Sequence, residues 1–137
     1  MKNYNISFNS PVVEDFIQLR AKIGWGETDL AMAKNSLNAS LFHVTIYAQS
    51  QLVAMGRVVG DGAMYFYIQD VIVNPSHQGQ GLGNMIMENI EDFLTKTAKK
   101  GSTIGLLAAQ GKENFYKTWG YLERTGNPLG KGMCKFI

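Results

Sequence analysis

The sequence has few of the residues that make covalent cross-links or rigid turns. Its 137 residues include one cysteine and three prolines. Cys134 has no cysteine partner, which excludes an intramolecular disulfide and any metal site built on CxxC pairs. It also has no histidine nearby in the sequence to activate it as a nucleophile. We therefore expect no metal and a reducing compartment, the cytoplasm.

The sequence also lacks a long apolar run and a strong excess of charge of either sign. No stretch approaches the roughly eighteen apolar residues of a transmembrane helix, and residues 1–9 do not have the order of a signal peptide. Thirteen basic and eleven acidic side chains leave a formal net charge of +2. Non-specific binding of nucleic acid requires a much denser basic surface. We expect neither a membrane nor a nucleic acid as partner.

What the sequence does contain is a core and a regular succession of elements. With 45% hydrophobic residues the chain predicts one α/β domain over residues 1–137. Apolar periodicity and turn residues predict the order βααβββαβαββ, with a right-handed parallel crossover through the long third helix. The strands are predicted at 4–8, 42–48, 52–59, 63–73, 103–108, 121–124 and 133–136, and the helices between Ser10 and Gly24, from Thr28, at 80–99 and at 113–119.

A glycine-rich loop lies between the predicted strand 63–73 and the long helix. It consists of Gln78, Gly79, Gln80, Gly81, Leu82, Gly83 and Asn84. At a helix start, unpaired backbone N–H groups and the helix dipole favour an anion, and glycines let phosphate oxygens approach closely. The spacing matches neither GxGxxG nor a P-loop. The alternative is a turn whose glycines only allow close packing.

In this loop and the segments around it, the chain resembles the GNAT superfamily of acetyltransferases. The family's [RQ]xxGx[GA] motif is matched by Gln78, Gly81 and Gly83, and residues 114–121 are similar to its FYxxxGF segment. Residues 70–75 look like its fourth strand. Within the superfamily, residues 23–25, 78–83 and 130–133 look most like the bacterial and plastid group related to serotonin N-acetyltransferases. The resemblance implies a central splayed sheet, acetyl-CoA as cofactor and N-acetyltransferase activity.

The resemblance also implies roles for individual residues. The third hairpin strand would splay at a bulge, so that main-chain groups of Val71, Ile72 and Val73 bind the pantetheine arm. The glycine loop would bind the diphosphate, and the Asn114 amide would hold the cofactor. Tyr116 matches the family's general acid, a role suited to a phenol with a pKa of about 10. Tyr116 is alternatively an ordinary residue of an amphipathic helix.

The acceptor half of the site is less defined. Asp70 is a candidate base, acting through water, or else a salt-bridged strand carboxylate. Trp25, Tyr65 and Tyr67 are candidates for contact with an aromatic or aliphatic amine, or else fill the core. His43 is expected in a strand remote from the loop, and His77 as a packing residue.

The resemblance implies direct acetyl transfer to the primary amine of a small molecule in a ternary complex. Three alternatives stay open: acetylation of glucosamine-6-phosphate, acetylation of peptides or proteins, and a CoA-binding module without catalysis. Sugar-phosphate binding needs a basic cluster over the amine site, which the sequence alone does not identify. A homodimer is compatible with the resemblance.

Overall fold

The computed structural model describes residues 3–137. The chain divides into two compact units, Met1–Leu106 and Leu107–Ile137. The first unit contains β1 (Tyr4–Ser7), α1 (Val13–Lys22), α2 (Leu30–Asn38), β2 (Phe42–Ala48), β3 (Gln51–Gly60), β4 (Tyr65–Val73), a 3₁₀ turn (Pro75–His77), α3 (Leu82–Thr97) and β5 (Thr103–Leu106). The second contains α4 (Glu113–Lys117).

The five strands form one sheet in the order β1-β2-β3-β4-β5. The first four are antiparallel neighbours, and β5 pairs in parallel with β4. The connection from β4 to β5 runs through α3, as expected for a parallel pair, which cannot be joined by a tight turn. The mixed α/β class and the crossover predicted from the sequence are thereby confirmed.

Helices cover both faces of this sheet. On one face, α1 and α2 pack their buried residues against Met55 and Ile72 of the central strands. On the other face, an added Cβ at Gly56 would lie 2.5 Å from Ile86 Cγ2 of α3. Because neighbouring residues of a strand point to opposite faces, Met55 and Gly56 assign the two helical layers to opposite sides. The first unit is thus a three-layer α/β/α structure.

Several helix boundaries differ slightly from those predicted. Helix α2 begins after Asp29 rather than Thr28, since the Asp29 carboxylate accepts a hydrogen bond from the Met32 N–H at 2.9 Å. Helix α3 begins at Leu82 because Gly81, at φ +80°, is left-handed and ends the preceding loop. Helix α1 begins at Val13, without a side-chain cap from Ser10.

The two strands predicted nearest the C-terminus are wrong. Residues 121–124 and 133–136 form no strand, and no β-ladder includes them within the described chain. Their apolar side chains are almost fully exposed, with Leu122 at 90%, Met133 at 93% and Phe136 at 92%. A strand is stabilised by its neighbours, and local alternation does not supply one. The predicted sixth and seventh strands therefore do not extend the sheet.

Candidate active site

Strand β4 carries a β-bulge at the position that the resemblance implies. Met55 faces Ile72 and Arg57 faces Gln69, so Asp70 and Val71 together lie opposite Gly56. Asp70 has φ +54°, a conformation that a non-glycine residue seldom adopts. A bulge bends its strand and redirects the extra side chain. The Asp70 carboxylate therefore points to the α1/α2 face, as Arg57 does.

Beyond the bulge, β4 has an open edge, with which no strand in residues 3–137 pairs. Its pairing with β5 ends at Ile68, whereas the strand continues to Val73. The Asn74 N–H donates to Val53 O at 2.8 Å, and Ile72 faces Met55. Because main-chain groups alternate in direction along an antiparallel strand, Ile72 is turned toward β3, and Val71 and Val73 toward the open edge. These two residues can bind an extended ligand as an added strand.

The glycine loop follows directly, between the 3₁₀ turn and α3. Gly79 and Gly81 have φ near +80°, and a Cβ built at either would meet no heavy atom within 4 Å. No acceptor in the described chain receives a hydrogen bond from the amides of residues 79–84. Helix α3 has no side-chain cap and no acidic residue in its first turn. The loop thus leaves successive N–H groups without an acceptor in the described chain, as an anion site requires.

His77 fixes the start of this loop. Its side chain is largely buried, and a hydrogen bond of 3.0 Å joins its Nδ1 to Tyr4 Oη on β1. Asn74 caps the turn through its side-chain oxygen, which accepts from the Ser76 N–H at 3.0 Å. The packing role expected for His77 is confirmed.

Asp70 lies at the centre of a buried ion-pair network. Its side chain is 0% exposed. Oδ1 accepts hydrogen bonds from Arg20 Nη1 on α1 and, at 3.2 Å, from Gln69 Nε2. Oδ2 accepts from Arg57 Nε at 2.8 Å. This is the salt-bridged arrangement that the sequence left open as an alternative.

The second arginine of the network is bound entirely within the protein. Arg57 Nη1 donates to Ser36 O and to Ser40 Oγ, both at 3.0 Å, and Nη2 donates to Ser36 Oγ at 2.9 Å. With the bond to Asp70, all three guanidinium nitrogens have partners. Arg57 therefore ties α2 to the bulge.

His43 lies beside this network, opposite Arg57 on the neighbouring strand. Its Nε2–H donates to Leu37 O at 3.1 Å. Burial lowers the pKa of His43 from its usual 6.5; the Leu37 hydrogen bond raises it, and the charge of Arg57 lowers it. His43 is thus a strand residue whose neutral form is favoured, and it contacts α2 rather than the glycine loop.

The three aromatic residues assigned to the acceptor share one side of the sheet. Trp25 follows α1, and the Arg20 guanidinium carbon lies 5.1 Å from its ring centroid. Tyr67 faces Val59 and Gln69 faces Arg57, so the side chains of Tyr67 and of Tyr65, two residues earlier, are on the α1/α2 face. Tyr65 is exposed and the other two are partly buried.

The second unit carries the remaining predicted residues, Asn114 and Tyr116. Both belong to α4, where Asn114 is exposed and Tyr116 is partly buried. The Phe115 and Tyr116 rings meet edge to face, with centroids 5.1 Å apart. The Trp119 and Tyr121 N–H groups donate to Tyr116 O at 3.0 and 3.3 Å. These hydrogen bonds connect the short helix to the turn that follows it.

Comparison with known proteins identifies the family. The model of the acetyltransferase (GNAT) domain matches residues 26–137. The chain belongs to the GNAT acetyltransferase family. A crystal structure from methicillin-resistant Staphylococcus aureus, described as a probable acetyltransferase, superposes on this GNAT chain with a TM-score of 0.90, at 30% identity over 98% of this chain and all of the other. The protein is accordingly an acyltransferase of the N-acetyltransferase type.

Curated relatives of this GNAT chain are also named N-acetyltransferases. An uncharacterised N-acetyltransferase, ycf52, of Gracilaria tenuistipitata is 32% identical over 96% of this chain and 72% of its own length. A serotonin N-acetyltransferase of rice, named chloroplastic, is 39% identical over 50% of this chain and 34% of its own length. The glucosamine-6-phosphate N-acetyltransferase of Arabidopsis shares the fold, with a TM-score of 0.67 at 17% identity.

Two further features of the protein bear on membranes and metal ions. In residues 3–137, no helix is long and apolar enough to cross a membrane. The same described residues contain no group of three or more histidine, cysteine or acidic side chains arranged to hold a metal ion. The cytoplasmic location stays a prediction.

Sequence reasoning missed the two arginines that hold Asp70. Arg57 was detectable in principle, because it is a charged residue in the otherwise apolar strand β3, and such residues are rarely buried without a partner. Arg20 gave no comparable signal, since the end of a helix commonly carries a basic residue.

Proposed function

We propose that this acetyltransferase uses acetyl-CoA and transfers its acetyl group directly to the primary amine of a small molecule. The observation that carries the proposal is the open donor array, in which the free amides of residues 79–84 follow the open edge of β4. A diphosphate requires several N–H donors at a helix start, and a pantetheine arm requires main-chain partners in extended geometry. Both requirements are met in one continuous segment.

The residues present fit CoA. Positions 79 and 81 have no side chain in the space where phosphate oxygens would approach, and their positive φ favours glycine there. Val71 and Val73 would bind the amides of the arm, with Ile72 anchoring the strand in the core. Gln78, Gln80, Leu82, Gly83 and Asn84 complete the loop, and Asn114 would hold the cofactor from α4.

The chemistry divides between the cofactor and the chain. Acetyl-CoA, when bound, supplies an activated thioester. Tyr116 would donate its hydroxyl proton to the departing sulfur, because a neutral phenol is available at physiological pH. Trp25, Tyr65 and Tyr67 would border the amine. Asp70 stays the predicted base, acting through water that would have to reach a buried carboxylate whose two oxygens already accept hydrogen bonds.

The test of this function begins with binding. We expect acetyl-CoA and CoA to give calorimetric heat and to raise the melting temperature, since a ligand that binds only the native state stabilises it. Acetylation is then measured with radiolabelled acetyl-CoA on small amines and on peptides. Absence of binding would refute the proposal, and activity on peptides alone would favour the protein-acetylating alternative.

Tyr116→Phe tests the assigned acid. We expect turnover to fall at least tenfold while the affinity for acetyl-CoA changes little, because the variant keeps the ring and removes only the proton donor. Tyr121→Phe removes a phenol five residues later and serves as the matched control. Unchanged turnover in Tyr116→Phe would exclude this residue as the acid, and a protein that binds CoA but acetylates nothing would be a non-catalytic module.

A further inference from the structure

Arg20 has hydrogen-bonding capacity that the protein itself does not use. Its Nη1 donates to Asp70. Its Nε is buried and has no hydrogen-bond partner anywhere in residues 3–137. A buried N–H without an acceptor is costly, and native proteins satisfy nearly all such groups. An oxygen atom of a ligand would satisfy this one.

The unused nitrogens are arranged as a fork. Nε and Nη2 lie along one edge of the planar guanidinium, and such an edge binds the two oxygens of a carboxylate or phosphate side by side. The rest of the group is held in place by Asp70 at Nη1 and by the rings of Trp25 and Phe16, whose centroids lie 5.1 and 5.7 Å from the guanidinium carbon. The guanidinium plane is therefore oriented before a ligand arrives, and a shift of the overlying Trp25 ring would let a ligand oxygen reach the buried Nε.

The charges of the network favour an anion at this place. Arg20 and Arg57 are two cations around one carboxylate, Asp70, which leaves one positive charge in excess. Arg57 is 7% exposed and fully hydrogen-bonded within the protein, whereas Arg20 is 22% exposed. A charge shielded from water acts strongly on a ligand. The excess positive charge is thus available to a ligand at Arg20.

Space exists beside the loop that covers Arg20. Gly24 and Gly26 flank Trp25, and a Cβ built on either would meet no heavy atom within 4 Å. Tyr67 and the Asp70 bulge share this face of the sheet. A small acceptor on this face would lie on the same strand, β4, whose edge is assigned to the pantetheine arm.

We propose that the acceptor amine also carries an anionic group, a carboxylate or a phosphate, which binds the Nε–Nη2 edge of Arg20. The inference rests on the proposed acetyl transfer and narrows its substrate class from amines in general to amino acids or phosphorylated amines. Arg20 is then a specificity-determining residue, since it contacts the acceptor but no reacting atom.

Paired acceptors test this specificity. Acetylation is measured for tryptamine with tryptophan, tyramine with tyrosine, and glucosamine with its 6-phosphate, so that each pair differs by the anionic group. The wild-type kcat/KM should favour an anionic member about 10- to 100-fold, the size of a charged bidentate contact. Arg20→Lys keeps the charge but removes the fork, and should reduce that preference to less than about threefold.

The preference ratio separates recognition from a merely structural effect, because a disturbed fold lowers both members of a pair equally. Lys22→Gln removes an exposed cation two residues further along α1 and should leave the ratio unchanged. An equal loss for both members in Arg20→Lys, or no preference for the anionic member in the wild type, would overturn the proposal. Preference for the phosphate or the carboxylate pairs identifies the anionic group.

A titration with anions in the absence of CoA tests the Arg20 anion site independently of turnover. In protein with ¹⁵N-labelled arginine, the Arg20 Nε–H signal is assigned by its loss in Arg20→Lys. Inorganic phosphate or acetate should shift it saturably in the millimolar range, and chloride at the same ionic strength should not. A signal that stays in place would refute the anion site even in an active enzyme. Failure of acetyl-CoA binding would instead refute the proposed function and leave this titration unaffected.

Discussion

Asp70 combines two properties that are separately uncommon, a positive φ and a buried charge. The carboxylate is fully buried between two guanidinium groups, so its removal would leave two cations facing each other. Asparagine adopts positive φ readily and has nearly the same shape, so an Asp70→Asn exchange preserves the bulge. The two properties can therefore be tested separately.

We expect Asp70→Asn to lower the free energy of unfolding by about 3–5 kcal/mol, the usual cost of removing one partner from a buried ion pair. Urea denaturation followed by circular dichroism measures it. The matched control is Asp92→Asn, whose ion pair with Lys96 spans 3.0 Å on the exposed surface of α3. That variant should change stability by less than about 1 kcal/mol. Similar losses in both variants would contradict the buried network.

The network also explains a limit of residue-level reasoning from sequence. Asp70, Gln78, Gly81 and Tyr116 are candidates because local motifs mark them. Arg20 lies 50 positions before Asp70, and the two meet only because α1 packs on the face to which the bulge directs the carboxylate. Such a contact depends on tertiary packing, which local patterns do not encode.

Among the elements, the loop before α3 has the most specific requirement for particular residue types, namely glycine. Gly81 at φ +80° is the last residue before the helix, and its neighbourhood is open. An alanine there would have to adopt a left-handed conformation at a cost of roughly 1–2 kcal/mol, and its methyl group would extend into the space assigned to phosphate.

We therefore expect Gly81→Ala to weaken acetyl-CoA binding at least tenfold in isothermal titration calorimetry, by strain and by obstruction together. Gly132→Ala is the matched control, because Gly132 has neither a positive φ nor a heavy atom within 4 Å of an added Cβ. Its affinity should equal that of the wild type. Undiminished affinity in Gly81→Ala would show that the loop does not hold the diphosphate.

The elements themselves were largely predictable. Within residues 3–137, five strands and four helices lie where apolar periodicity and turn residues place them, and their ends differ by up to two residues, partly at caps such as Asp29 and Gly81 and partly at strand ends such as Tyr65 and Leu106. The two predicted C-terminal strands failed for a different reason. Their alternation is real, but a ladder requires a paired neighbour, and periodicity describes one segment at a time.

For the molecule as a whole, the burial of His43 couples stability to pH. Its pKa in the folded state is lowered below 6.5, mainly by burial. Between these two pKa values the unfolded chain binds a proton that the folded chain does not. Stability is therefore fully present above the unfolded pKa and falls as the pH decreases from there toward the lowered pKa.

His43→Gln should reduce this dependence, because glutamine does not titrate and can still donate to Leu37 O. We expect wild-type protein to lose more unfolding free energy than the variant between pH 7.5 and 5.5, with a slope from this group of at most about 1.4 kcal/mol per pH unit. Urea titrations at several pH values measure the difference. Parallel curves for the two proteins would show that His43 is not responsible.

The bulge has a consequence for how such a site could arise. If Asp70 were deleted, the pairs Met55–Ile72 and Arg57–Gln69 would be consecutive alternate pairs of an uninterrupted ladder. Asp70 is thus a single surplus residue in an otherwise regular hairpin. This one residue bends β4 close to the point where its pairing with β5 stops. It also supplies the negative charge that pairs with two arginines. The separation of β4 from β5 and the buried ion-pair network beside it therefore depend on the same residue, and a sequence that lost Asp70 would lose both.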